Sequence, residues 1–268
     1  MKPDTQTIES ILDGFQGDPE FYYNYMYYNW VRVVMDLNFI RRHVPTSASI
    51  LDIGAVPPLL SALLLKEGYT KITVADPTAS TFHSFFNRHS IQHVDLDVLN
   101  TNDVSNLGTF DLVCFNEVIE HLSGNLIEVL QKVADRVAPG GHLMVTTPNL
   151  RSLSGIYAIL GCNSGLASKP FETVRMQYER SSAKYGYFGH LREFTPNEVR
   201  DLVSSFGLNH YKSAFQANYL RPSIPHKAIY LLEVLFPKLR LFGKHLFQRP
   251  SADASDTISK KVLPSETR

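Results

Sequence analysis

Ser49-Ile50-Leu51-Asp52-Ile53-Gly54 is a short apolar run that stops at a glycine. It is followed by Pro57-Pro58, a leucine-rich stretch from Leu59 to Glu67, Gly68, and a second apolar run from Lys71 to Ala75 that is closed by Asp76. A buried strand, a tight turn, a helix and a second strand ending in a carboxylate make the first half of a nucleotide-binding α/β sheet. The run Phe110 to Leu122 has the character of a neighbouring strand and its exit loop.

The core alternates from there. Strands are expected at 49–53, 71–75, 91–95, 110–115 and 141–147, with helices at 58–67, 78–88 and 122–137. This β/α alternation requires right-handed crossovers and predicts a doubly wound, mostly parallel sheet covered on both faces. Pro139-Gly140-Gly141 stops the last of these helices and turns into the fifth strand. Thr195-Pro196-Asn197-Glu198 reads as a capping box with proline in the first turn, opening a helix that ends at Gly207 before a strand near Asn209 to Phe215. No seventh strand is legible.

The flanks set the domain limits. Residues 1–18 are polar and are expected to be flexible. Residues 19–215 form the domain, opening with an aromatic-rich helical cap over 19–44 in which some tyrosines have the half-polar character of a cleft wall. Residues 150–187, rich in Ser, Gly and Tyr, leave the regular pattern directly after a strand, where α/β enzymes place lids. Residues 216–248 are expected as a C-terminal accessory helical segment and 249–268 as a disordered tail. Within the former, 224–247 is apolar and carries Lys227, Lys238, Arg240, Lys244 and His245 against Glu233 alone. It reads as a helix packed on the domain with a solvated basic face, or as a peripheral contact with an anionic membrane.

Composition narrows the function. At 268 residues the chain can bury one substantial core. Lys plus Arg (26) equals Asp plus Glu (26), so no global field draws it to nucleic acid. Cys114 and Cys162 belong to no CxxC pair, and no window approaches the length and apolarity of a signal peptide or membrane span. A reduced, cytoplasmic setting is the expectation.

A cofactor with an adenosine end needs close backbone approach at the first turn and a carboxylate for its ribose diol. Gly54 and Asp76 meet those needs, with Asp95 or Asp97 after the third strand bounding the base. Glu117, Glu120 and His121 follow the fourth strand. On a helix their i, i+3, i+4 spacing places them on one face, and two carboxylates with an imidazole favour a divalent cation between them. In the alternative reading, the two glutamates favour the positive end of the next helix and His121 is a packed side chain.

Taken in order, Leu51-Asp52-Ile53-Gly54, Asp76, Phe110-Asp111-Leu112-Val113, Glu117-Val118-Ile119-Glu120-His121-Leu122 and Pro139-Gly140-Gly141 make residues 45–215 resemble the class I S-adenosylmethionine-dependent methyltransferases. The resemblance implies a Rossmann-like fold with S-adenosyl-L-methionine held by Asp52, Gly54, Asp76, Asp95 and Asn116. Gly54-Ala55-Val56-Pro57-Pro58 departs from the family's G-x-G-x-G turn, placing valine where glycine is usual.

Glu117-x-x-Glu120-His121 followed by His190 also resembles the metal site of small-RNA 3′-terminal 2′-O-methyltransferases and a segment of the ubiquinone-pathway O-methyltransferases. That resemblance implies Glu117, Glu120, His121 and His190 as ligands of Mg or Mn, with Glu117, His121 and His190 as catalytic residues. The expected activity is O-methylation of a hydroxyl on a sugar, glycan, lipid-linked intermediate or other small metabolite. An RNA 2′-O-methyltransferase and a non-catalytic cofactor-binding relative are the alternatives.

Overall fold

In the computed structural model, residues 2–181, 189–217 and 231–251 are described. Sixteen regular elements appear among them. They are α1 (Thr5–Leu12), α2 (Pro19–Arg41), β1 (Ser49–Ile53), α3 (Leu59–Lys66), β2 (Lys71–Asp76), α4 (His83–Arg88), β3 (Gln92–Asp95) and α5 (Thr101–Ser105). They continue as β4 (Phe110–Asn116), α6 (Leu126–Ala134), β5 (Val137–Pro148), α7 (Leu153–Cys162), α8 (Val174–Ser181), α9 (Pro196–Ser204), β6 (Asn209–Gln216) and β7 (Phe242–Gln248).

The strands form one sheet in the order β3-β2-β1-β4-β5-β7-β6, in which β7 runs antiparallel between β5 and β6 and the remaining pairs are parallel. Alternation along each strand divides the core. Ile50, Ile72, Val74, Leu112, Cys114, Met144 and Leu246 face α1, α2, α3 and α4. Leu51, Ile53, Val113, Phe115, Leu143, Val145 and Phe247 face α5, α6 and α9. The period-2 register therefore decides which side chains enter each layer.

The parallel strands and the capped helix α9 agree with expectation. The Thr195 hydroxyl accepts from the Glu198 N–H, and the Glu198 carboxylate accepts from the Thr195 N–H at 2.8 Å. Pro139-Gly140-Gly141 does not precede the fifth strand. It lies inside β5 at a register shift against β4, with Gly140 at φ +78°.

Two flanking expectations are corrected. The polar stretch 1–18 is not loose throughout. Asp4 caps α1, and Ile8 and Ile11, spaced three apart, are buried against the α2 layer. Two isoleucines in a short polar segment are too few to register as a periodic pattern, yet they suffice once α2 and α3 supply the other wall.

The segment 216–248 is not an accessory helix over its length. Residues 231–235 are helical, but Phe242–Gln248 is the interior strand β7. Its identity was hidden because Lys244 and His245 break the apolar run. Both are buried, Lys244 against Asp36 of α2 and His245 with Nδ1 2.9 Å from the Ser213 hydroxyl of β6. Lys227 of the expected basic face and the tail from residue 252 lie outside the described residues. Among the described residues no helix is long and apolar enough to cross a membrane.

Candidate active site

β1, β2 and β4 end side by side, and the loops leaving them form a cleft of about 930 Å³ under the N-terminal part of α2. Gly54, at the end of β1, adopts φ +71° and donates to the Ala75 carbonyl at 2.8 Å. A Cβ there would lie 2.5 Å from Cγ2 of Val118 in the loop after β4, so only glycine lets the two loops close on each other. Val56 is not among the positive-φ residues. The turn leaves Gly54 by another path, and the Val56 N–H donates to Asp76 at 3.2 Å.

Asp76 also accepts from the N–H and the hydroxyl of Thr78, each at 2.8 Å. Burial raises its pKa, and these donors oppose the rise. The carboxylate is thus held at the cleft wall in a fixed orientation. Of the two candidates for the base, Asp97 lines the cleft, whereas the Asp95 carboxylate accepts from the Ser80 N–H at 2.7 Å and lies outside the lining. Tyr22 and Tyr25 of α2 line the cleft, as the aromatic cap suggested for some of its tyrosines.

A second cavity of about 560 Å³ adjoins the first and shares Gly54, Tyr25 and Glu117 with it. Its wall includes Asp52, Asn116 and Arg32. Asp52 is buried on the α2 side of β1, and desolvation pushes its pKa up to about 7. Both polar side-chain atoms of Asn116 are buried, and neither has a hydrogen-bond partner among the described residues. A buried amide in that state can serve a ligand's polar groups. Arg32 was not anticipated as a site residue. Burial opposes its charge, but Glu117 and its other neighbours outweigh that, and its pKa is raised. It pairs with Glu117 at 3.6 Å.

The residues after β4 do not form the expected helix. Glu117 takes φ +55°, and Ile119–His121 is a single 3₁₀ turn. Glu117 is turned aside toward Arg32 and accepts from the Thr146 hydroxyl at 2.9 Å. The i, i+3, i+4 face is therefore absent, and the expected four-residue ligand set loses Glu117. What converges is Glu120, His121 and His190, which each present one atom within 4.8 Å of the others.

Backbone bonds bring the distant histidine there. The Leu191 N–H donates to the Glu120 carbonyl at 2.8 Å, and His121 Nδ1–H donates to the Gly189 carbonyl at 2.9 Å. The two imidazoles meet edge to face with centroids 4.7 Å apart. Burial, then His190, hold the His121 pKa down to about 3, so this ring is neutral near pH 7 with Nε2 as its lone pair. Glu120 is 1% exposed. One carboxyl oxygen accepts from Thr147 at 3.0 Å, and the other has no hydrogen-bond partner among the described residues and lies 4.0 Å from His121 Nε2. Burial, then Glu117, raise its pKa well above the carboxylate range.

One further residue, Glu193, was missed. Its carboxylate contacts His190 and the segment 167–168, and no spacing rule links it to Glu120.

The site fits an adenosine-bearing sulfonium cofactor. The cleft offers a Cβ-free turn and a fixed carboxylate, and the adjoining cavity adds the buried amide of Asn116. A cation also finds suitable donors in one orphaned carboxyl oxygen and two imidazoles, a mixed set nearer to the preferences of Mn than of Mg.

Comparison with known proteins agrees with the architecture. A family model described as a methyltransferase domain matches residues 24–213. The mitochondrial ubiquinone biosynthesis O-methyltransferase of Dictyostelium discoideum is 30% identical over 135 residues, 44% of this chain and 41% of that protein. The ubiquinone biosynthesis O-methyltransferase of Cronobacter sakazakii is 27% identical over 180 residues, 65% of this chain and 70% of that one. The alignment with the Dictyostelium protein thus spans less than half of that relative. Among solved structures, a methyltransferase of Thermotoga maritima, titled a possible histamine N-methyltransferase, is similar in fold. It has 14% identity and a TM-score of 0.55, over 92% of this chain and 100% of that one.

Proposed function

The chain belongs to the methyltransferase-domain family, whose methyl donor is S-adenosylmethionine, and from that premise we propose that it methylates a hydroxyl group of a sugar, glycan, lipid-linked intermediate or other small metabolite. The observation that carries this reading is the convergence of Glu120, His121 and His190 beside the cofactor cleft. The distant relationship to O-methyltransferases supports it.

Each part of the site has a separate task. Asp76 accepts from the ribose hydroxyls, Gly54 lets the backbone approach, and Asp52 and Arg32 offer opposite charges to the amine and carboxylate of an amino-acid moiety. When bound, the cofactor supplies an electrophilic sulfonium methyl. The neutral His121, with Nδ1–H engaged by Gly189, offers Nε2 as a lone pair to an acceptor or cation. With a pKa of about 3 it is a weak proton acceptor, so in a reaction without a cation His190 would take the hydroxyl proton. Glu120, His121 and His190 would hold a divalent cation, which would lower the pKa of an acceptor hydroxyl. The segment beyond β5 would close over the acceptor and orient it.

The test is transfer of isotope-labelled methyl from S-adenosylmethionine to a panel of hydroxyl-bearing acceptors, alongside calorimetric titration of the cofactor. Asp76→Ala should weaken cofactor binding at least tenfold, and chelator should abolish transfer while leaving cofactor affinity unchanged. Undiminished transfer in chelator would assign the chemistry to the histidines alone. Steeply salt-dependent methylation of RNA would replace the small acceptor, and absent cofactor binding would reject the enzyme reading altogether.

A further inference from the structure

Glu193 is 2% exposed and lies beside His190. One oxygen, Oε1, lies 2.9 Å from His190 Nδ1. The other, Oε2, accepts from the Ala167 N–H at 2.6 Å, and the Ser168 N–H donates to Oε1 at 3.2 Å. The Ser168 hydroxyl also donates to Oε1 and lies 3.1 Å from His190 Nδ1. A single buried carboxylate therefore joins the segment between α7 and α8 to an imidazole of the reaction site.

We infer that Glu193 is a positioning residue that fixes the tautomer of His190 and ties its orientation to the seating of residues 167–168. The inference rests on the hydroxyl-methylating reading for its catalytic consequence, though not for the tautomer itself. A carboxylate only accepts, so the imidazole must present Nδ1–H to it, which leaves Nε2 as the lone pair. His121 is held the same way, with Nδ1–H engaged by the Gly189 carbonyl. His121 Nε2 thereby lies 4.0 Å from Glu120 Oε1, and in both rings Nε2 is the nitrogen left with the lone pair.

The lid linkage follows from the same geometry. The two backbone amides and the serine hydroxyl meet the carboxylate only when 167–168 lies against Glu193. Displacing that segment removes three donors from Glu193 and leaves it with His190. Seating of the segment and presentation of the Nε2 lone pair are therefore one event. A glutamine at 193 has one acceptor oxygen, which cannot serve the imidazole and both lid amides together.

The experiment uses the full chain with ¹⁵N-labelled histidine, and His190 is assigned by difference against His190→Gln. The wild-type imidazole should show a protonated Nδ1 and an unprotonated Nε2. In Glu193→Gln it should move toward a mixture of tautomers, and hydrogen exchange at residues 167–168 should accelerate. kcat should fall about 10–100-fold, the range for partners that orient a functional histidine, with cofactor affinity within about twofold of wild type. Glu193→Asp should recover part of the loss. An unchanged His190 tautomer in Glu193→Gln overturns the inference. If instead the tautomer shifts in a chain that transfers no methyl group to any acceptor, the positioning role stands and the methylation reading falls. Cofactor titration of each variant shows that the fold is retained.

Discussion

Replacing Gly54 by alanine tests the geometry of the cofactor turn with one carbon atom. Two penalties add. The residue has φ +71°, a conformation in which an L side chain costs about 1–2 kcal/mol. The new Cβ would also sit 2.5 Å from Val118 Cγ2, and since the next Val118 atom is at 3.7 Å, the conflict is with that one methyl group. Overpacking of this kind costs about 1–3 kcal/mol. Gly54→Ala should then lower unfolding free energy by about 2–5 kcal/mol. Val118→Ala removes the obstructing methyl, so the double variant should recover the steric part, a coupling of about 1–3 kcal/mol, and retain the backbone part. Urea unfolding of the four proteins gives the cycle, and cofactor titration reports whether the turn still binds. A single-variant loss under 1 kcal/mol, or no coupling to Val118, would refute the close approach of these loops.

Two other perturbations probe the charges beneath the site. The Asp52 pKa of about 7 lies above the ordinary 3.8, so the folded chain binds more protons than the unfolded chain between those values. Its contribution to stability is full below pH 4 and is lost as pH rises toward 7, by up to about 4 kcal/mol. Urea unfolding across that range measures the decline. If the cofactor amine ionises Asp52, binding at pH 7 should release about half a proton, seen by calorimetry in buffers of different ionisation enthalpy and absent in Asp52→Asn. Lys244→Met leaves Asp36 buried without its partner and should cost about 3–5 kcal/mol, while Lys244→Met with Asp36→Leu should restore most of it. Equal stability of single and double variants would show that the pair is not coupled.

The apolar runs at 49–53, 71–75 and 110–115 were sufficient to place the parallel strands, because each is buried over most of its length on both faces and must be mostly apolar. Gly54 and Asp76 followed from their places at strand ends. β7 escaped because an interior strand can hold lysine and histidine when other elements supply partners, and Asp36 lies over 200 residues away in sequence. α1 escaped for the converse reason, its two buried isoleucines gaining a partner surface only in the fold.

The chain's local order thus determines the Rossmann-like sheet, the glycine turn and the carboxylate that closes β2, since these depend on strand period and on backbone conformations that few residues adopt. The tertiary structure alone decides which side chains share the reaction site. Glu117 and Glu120 are three residues apart, yet the positive φ at Glu117 and the 3₁₀ turn after it send them to different partners. His190 and Glu193 reach Glu120 and His121 from some seventy residues away, because the Glu120 carbonyl and His121 imidazole bond the backbone at 189–191. Such meetings are set by hydrogen bonds between loops, which satisfy buried polar groups wherever the fold brings them together and leave no period in the sequence.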